Sequence, residues 1–184
     1  MTTDTSYATV RRATEDDRTA VVDILTESFA TDPVAGWLFP DPGERRRLQP
    51  PYFGLLLTHP EAEVYLAGRE GAAVWLPGNA SQQQPDVGTA GERFLALGAA
   101  LAGRHPEEPH LYLQCIGVVG TRQGAGIGTA LLRHRLDRTD LAVYLEASSP
   151  RSRDLYLRHG FVEHGDPVRV PDGPTLWPML RGAR

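Results

Sequence analysis

Val118-Val119-Gly120-Thr121-Arg122-Gln123-Gly124-Ala125-Gly126-Ile127-Gly128-Thr129-Ala130-Leu131-Leu132 carries the reading of the fold. An apolar strand runs into a glycine-punctuated turn, and the turn opens straight into an apolar-periodic helix. Such a turn leaves several backbone N–H groups free at a helix N-terminus, where the helix dipole favours negative charge. Gly124, Gly126 and Gly128 carry no Cβ to hold a phosphate off the backbone. The stretch therefore reads as a pyrophosphate cradle, with an ordinary strand-to-helix turn as the alternative.

Working outward, Leu111 to Val119 is the most apolar run and reads as a central strand. The helix after the loop runs to about Arg138, and Leu141 to Ala147 is the other long apolar run. Two such strands joined through a helix are expected to be parallel neighbours. Ser148-Ser149-Pro150 starts a helix that includes Leu155, Tyr156 and Leu157 and stops at Gly160. Phe161 to Gly165 and Leu176 to Leu180 read as closing strands joined by a Pro/Gly turn. Toward the N-terminus, Tyr7 to Arg12 alternates as a first strand with Val10 inward. Thr14 then caps a turn rich in acids, and Val21, Val22, Ile24, Leu25 and Phe29 fall on helical spacing that ends by Asp32-Pro33. Ala35 to Pro42 reads as a loop or short turn carrying large apolar groups, and Glu44 to Thr58 as a helix open to a break at Pro50-Pro51. Glu63 to Ala67 and Ala72 to Leu76 form a hairpin pattern, Asn79 to Gly88 an exposed connection, and Thr89 to Gly103 a further helix. No repeat or linker divides the chain, so residues 1–184 are expected to form one domain.

Composition narrows the class. With 41% hydrophobic and 23% charged residues, the chain is expected to fold. A net charge of −4 without a basic stripe argues against a nucleic-acid partner. All nineteen basic residues are Arg, a compositional bias without functional weight. The one cysteine, Cys115, excludes an intrachain disulfide and a Cys-based zinc site, and reads as a small buried hydrophobe. His59, His105, His134, His159 and His164 lack ligand spacing, so no metal is expected. Met1 to Thr9 has no secretory pattern and no apolar run approaches ~18 residues, so a soluble, cytoplasmic protein without a membrane partner is expected.

Two well-known cradles do not fit the loop. A phosphate loop of the Walker type needs a Lys followed by Ser or Thr, and the chain has no Lys. A dinucleotide fingerprint needs Gly-x-Gly-x-x-Gly near the first strand, whereas Gly124-x-Gly126-x-Gly128 lies late. Gln123-Gly124-Ala125-Gly126-Ile127-Gly128 does fit Gln/Arg-x-x-Gly-x-Gly/Ala, and on it the chain resembles the GNAT superfamily of acetyl-coenzyme A-dependent N-acyltransferases. The run Leu145 to Phe161, a strand followed by a short helix with Tyr156 and then Gly160-Phe161, looks like that family's later motif at its usual spacing. With Pro109 to Leu113 and Asp32-Pro33 through Trp37 to Asp41, the resemblance covers nearly the whole chain. Glu108-Pro109, the Leu145-Glu146-x-Ser148-x-Pro150-Arg151 run and Val170 to Trp177 are most similar to the puromycin N-acetyltransferase branch, which inactivates an antibiotic. Gly120, Ala125 and Ser152 depart from the family, which often carries Pro, a basic residue and Asn there.

The resemblance implies an α/β (α+β) fold, a mixed central sheet flanked by helices with a splay between two central parallel strands. It implies acetyl-CoA as co-substrate. The backbone of Ile116 and Val118 would pair with its pantetheine arm, while Gln123, Gly124, Ala125, Gly126, Gly128 and Thr129 would hold its pyrophosphate, with Ser152 hydrogen-bonding nearby. It implies Tyr156 as general acid toward the thioester sulfur; helical position alone equally allows a core tyrosine. Glu146 ends a strand at the carboxyl edge of the sheet, where open α/β sheets bind ligands. It is a candidate to accept the amine proton through water or to bind a cationic amine; the alternative is a strand-end acid facing solvent or paired with an Arg. His110 and Tyr112 flank it, and His110 is a second candidate base. Phe29, Trp37, Phe39, Tyr52 and Trp75 are either core or an aromatic substrate wall, with Trp37 in its loop the strongest pocket candidate. The expected activity is acetyl transfer by direct attack of a primary amine of a small molecule, an antibiotic or aminonucleoside among the candidates. Peptide or protein N-acetylation and a non-catalytic acyl-CoA sensor are the alternatives, and the chain is expected to be a monomer or homodimer.

Overall fold

The computed structural model describes residues 9–78 and 90–184. The Asn79 to Gly88 connection and Tyr7 lie outside the described residues. In chain order the elements are β1 (Val10–Arg12), α1 (Arg18–Ser28), α2 (Pro33–Leu38), α3 (Pro42–Leu56), β2 (Glu63–Ala67), β3 (Gly71–Pro77), α4 (Gly91–Leu101), β4 (His110–Val118), α5 (Ile127–Leu136), β5 (Ala142–Ala147), α6 (Pro150–Arg158), β6 (Val162–Glu163), β7 (Val168–Arg169) and β8 (Thr175–Arg181). The sheet runs β1-β2-β3-β4-β5-β8-β6, with β7 paired to the far end of β8. Every neighbouring pair is antiparallel except β4 and β5.

Local chemistry explains most boundaries. The Thr14 N–H and hydroxyl both donate to Asp17 Oδ2, at 2.8 and 2.9 Å, closing the turn that feeds α1. The segment expected to be a loop after Asp32 is instead helix α2. Asp32 Oδ1 accepts the Val34 and Ala35 N–H groups at 2.9 and 3.0 Å, and Pro33 supplies a first-turn φ, so an apolar hexapeptide has a complete N-terminus. Helix α3 starts the same way, with Asp41 Oδ1 accepting the Glu44 N–H at 2.7 Å, and it runs unbroken through Pro50 and Pro51. The two missing N–H groups would have bonded the carbonyls of Arg46 and Arg47, which are exposed and can be met by water. The turn expected between the closing strands contains β7, two residues too short to show a period of their own.

Two cores lie on the two faces of the sheet. Ile127, Leu131, Leu132 and Leu136 of α5 cover one face together with Tyr156 and Phe161. Val21, Ile24 and Leu25 of α1 and Phe53 of α3 cover the other. The central strand changes face part-way along. Val74 pairs with Cys115 but Trp75 with Leu113, so Gln114 is an extra residue in β4. Before this bulge Leu111 and Leu113 face α5; after it Ile116 and Val118 do, while Cys115 turns to α1. Strands β4 and β5 pair only from His110↔Ala142 to Tyr112↔Tyr144. Beyond that point, at the bulge, they diverge, which gives the mixed sheet with a splay. No helix of the described residues is long and apolar enough to cross a membrane.

The close approach of α5 to the sheet depends on Gly71. A Cβ there would sit 2.7 Å from Ile127 Cγ2 and 3.0 Å from Leu131 Cδ1. Gly71→Ala is expected to destabilise the fold by about 1–3 kcal/mol through overpacking, read as a lower urea midpoint at unchanged m-value.

Candidate active site

The splay opens into one continuous cleft of ≈ 1160 Å³ that runs from the start of α5, past the free edge of β4, to a chamber between α1, α3 and α4. At the α5 end, Gly124 and Gly126 adopt φ of +86° and +83°, a left-handed backbone natural to glycine. Ala130 donates to the Gly126 carbonyl at 2.9 Å, so the N–H groups of the first helical turn precede the intrahelical ladder. Gln123 braces this loop from both sides. Its Nε2 donates to the Val118 carbonyl at 3.2 Å, and its Oε1 accepts from Arg151 at 3.0 Å. Arg122, Arg151 and Arg158 line this end of the cleft. Arg122 is paired with Glu70 at 2.8 Å, so Arg151 and Arg158 beside the helix N-terminus make this end anion-attracting, a signal that the glycine pattern alone does not carry.

Glu146 lies where the strands part. Its side chain is 6% exposed, and Tyr112 donates its hydroxyl to Oε2 at 2.8 Å. Oε1 has no hydrogen-bond partner among the described residues. Burial pushes the carboxyl up, against the lowering effect of the hydrogen bond from Tyr112. Tyr156 lines the same cleft from α6, 6% exposed and packed on Phe161 at a ring separation of 5.8 Å. Burial first, then Cys115 and Asp32, raise its phenol, so it holds its proton through the neutral range. Burial also pushes the Cys115 thiol up to about 12, so it stays protonated and unreactive.

The other predicted positions divide. Ile116, Val118, Gln123, Gly124, Gly126, Gly128, Thr129 and Ser152 all line the cleft; Ala125 does not. Ser152 uses its hydroxyl in the cap of α6, donating to the Ser149 carbonyl at 2.9 Å and accepting the Ser149 N–H at 3.1 Å. Phe29 and Tyr112 line the cleft, with Phe39 and Tyr52. Trp75 does not: it is 0% exposed inside the core, because its place on β3 opposite Leu113 points it under α5. Trp37 does not either. Its place in α2 turns it to a shallow outer hollow, where Arg93 lies 5.7 Å above its ring and bonds its carbonyl at 2.5 Å. Residue reading overlooked Asp32, which caps α2 and also accepts from Ser148 at 2.6 Å, and His105, which lines the cleft beside Glu146. Asp32 was legible as a cap before Pro33; His105, in a turn, had no periodicity to place it.

Comparisons with known proteins agree with this geometry. The sequence profile of the acetyltransferase (GNAT) family matches residues 25–161. A histone acetyltransferase HPA2 and related acetyltransferase from Corynebacterium glutamicum is 31% identical over 97% of each chain, with a TM-score of 0.75. A putative arylalkylamine N-acetyltransferase 7 from the mosquito Aedes aegypti superposes at 0.66 with 15% identity, covering 93% of this chain and 85% of that one. A ribosomal-protein-S18-alanine N-acetyltransferase from Escherichia coli superposes at 0.56 with 19% identity, covering 94% and 92%. The last two are likenesses of fold.

The buried acid yields a pH-dependent prediction. Because the folded-state carboxyl is raised above its ordinary 4.5, its contribution to stability is fully present below that value and is lost as pH rises through the folded pKa. Glu146→Gln is therefore expected to raise the melting temperature at pH 7–8, with the gain vanishing toward pH 4; a gain that persists in acid contradicts the assignment.

Proposed function

The chain belongs to the acetyltransferase (GNAT) family, and from that premise we propose that it is an acetyl-CoA-dependent N-acetyltransferase acting on a primary amine of a small, largely apolar molecule. The observation that carries the reading is the single cleft whose two arms differ in chemistry and meet at Glu146 and Tyr156. One arm has a helix N-terminus, three Arg side chains and an unpaired strand edge; it fits a long pyrophosphate-bearing cofactor. The other is walled by Phe29, Phe39, Tyr52, Phe53 and Phe94; it fits an aromatic or aliphatic body.

Coenzyme A bound there supplies an activated acetyl thioester. Backbone N–H groups of Gly124 and of Gly126 to Thr129 would hold its pyrophosphate, and the free β4 edge at Ile116 and Val118 would be open to its pantetheine amides. Trp37, Trp75 and Ala125 drop out of the proposed site. Ser152 acts by ordering the start of α6, and Gln123 by bracing the loop. Tyr156 remains protonated because of its burial, so it can donate to the departing sulfur. Glu146 faces the acceptor amine, and its free Oε1 suits a cationic nitrogen. The likeness of Glu108-Pro109, the strand run at Leu145 and the Val170 to Trp177 stretch to puromycin N-acetyltransferases makes aminonucleosides and other antibiotics the first acceptors to try. Peptide acetylation is the second reading, motivated by the histone acetyltransferase described in Corynebacterium glutamicum. The aromatic enclosure of the chamber favours the small molecule.

An amine panel that includes puromycin, free amino acids, arylalkylamines and peptide N-termini, assayed for coenzyme A release, tests the reading. Amine-dependent release is expected with apolar primary amines. Tight acetyl-CoA binding without release from any amine indicates a sensor instead. With an active amine in hand, Tyr156→Phe is expected to lower kcat by about 10²–10³-fold at little-changed KM for acetyl-CoA; unchanged turnover removes Tyr156 from the mechanism.

A further inference from the structure

We propose that His105 and Glu146 form a pair that holds the acceptor ammonium and takes its proton, with His110 as the positioning residue that sets the tautomer of His105. This deepens the amine-acetyltransferase reading and rests on it.

The hydrogen-bond directions follow from one atom that can only accept. The Glu108 carbonyl lies 2.8 Å from His110 Nδ1, so His110 carries its proton on Nδ1. A neutral His110 then offers a lone pair at Nε2, and His105 Nδ1, 3.0 Å away, must donate to it. That leaves neutral His105 with a lone pair at Nε2, the atom that faces Glu146 Oε1 at 3.9 Å. This separation is too long for a direct hydrogen bond. Two acceptors therefore face each other across a gap that a single nitrogen with two N–H groups can bridge. Oε2 of the same carboxylate is already held by Tyr112, so Oε1 is the oxygen left to a ligand.

The surroundings hold the pair in place. The His105 ring packs on Tyr112 at 4.7 Å and Tyr144 at 4.5 Å. Gly78 closes over His110: its N–H donates to the His110 carbonyl at 2.9 Å, and a methyl at Gly78 would collide with the His110 ring. The titratable groups facing His105 are His110 and Tyr112 on β4, Tyr144 and Glu146 on β5, and Arg104 beside it in the chain. Burial lowers His105 and favours its neutral, proton-accepting form. The exposures also differ: the His105 side chain is 31% exposed and Glu146 6%. A proton received at this pair therefore reaches solvent through His105.

The balance is simple. The ammonium gives one proton to His105 Nε2 and becomes a nucleophilic amine. Its nitrogen bonds the thioester carbonyl carbon, the carbon–sulfur bond breaks as Tyr156 gives its proton to the sulfur, and the nitrogen's surplus proton passes to the Tyr156 phenolate and restores it. His105 then releases its proton to water, one per turnover.

Two measurements decide the proposal. In the amine-free protein, ¹⁵N chemical shifts are expected to show both His105 and His110 as Nδ1–H tautomers; an Nε2–H tautomer at His105 overturns the chain of donors. In turnover, His105→Ala is expected to lower kcat about 10²-fold and raise KM for the amine while leaving KM for acetyl-CoA unchanged. Added imidazole is expected to restore much of the rate, which repair of a merely structural defect would not do. A variant with normal kcat, or one that imidazole does not rescue, overturns the role of His105 while the acetyltransferase reading stands. A wild-type protein that releases no coenzyme A with any amine overturns both.

Discussion

Strands β4 and β5 are parallel neighbours for three residue pairs and then let go, and nearly every other feature of the molecule answers to that separation. Parallel strands in a closed sheet satisfy each other's backbone groups along their length. Here the extra residue at Gln114 swings the second half of β4 away from β5, and the strand keeps only β3 as a partner. The free edge so created cannot be buried bare, and the fold lines it with a cleft instead. Helix α5 begins at one end of that cleft because β4 leads straight into it. Helix α6 enters from the other side because β5 ends there. The bulge thus sets the face of each core side chain and the position of the cleft in one step.

The junction of the two arms is held by groups that oppose one another. A carboxylate at 6% exposure is costly unless its oxygens are met, and among the described residues one oxygen is met, by Tyr112. Tyr144, buried beneath the same group, likewise leaves its hydroxyl without a partner among the described residues. Other acids are met in full: Asp32 accepts two backbone N–H groups and a serine hydroxyl, and Glu63 takes a two-point contact from Arg135 at 2.7 and 3.1 Å. Thr26, Trp75 and Arg181 also leave a buried polar atom without a partner among the described residues, but Glu146 is the one acid among them, and it lies at the point where the arms meet.

Much of this was legible in the residues. Period and capping located α1, α5, α6 and the strands around them, because those elements bury one face against a single large sheet. The glycine loop was legible because Gly124 and Gly126 occupy backbone that other residues avoid. Helix α2 was misread because six residues are too few to display a helical period, although Asp32-Pro33 spelled its cap. The choice between core and substrate wall stayed open for Trp37 and Trp75 for a shared reason: aromatic type does not say which face of an element a ring occupies. Alternation along β3 decides that for Trp75, which shares the α5 side with Ala73 while Ala72 and Val74 face α1. His105 was invisible because its role comes from a ring-to-ring contact with His110, made in space by a turn.

The incomplete solvation of Glu146 bears on release as much as on capture. An acceptor arrives charged and, once acetylated, is a neutral amide with a single N–H. The carboxylate that gains from the first has almost nothing to gain from the second, and the full expense of keeping it out of water returns. On the proposed reading, the binding energy at this position disappears when the bond forms. A site arranged this way resists clogging by its own product, and it would do so without any moving part.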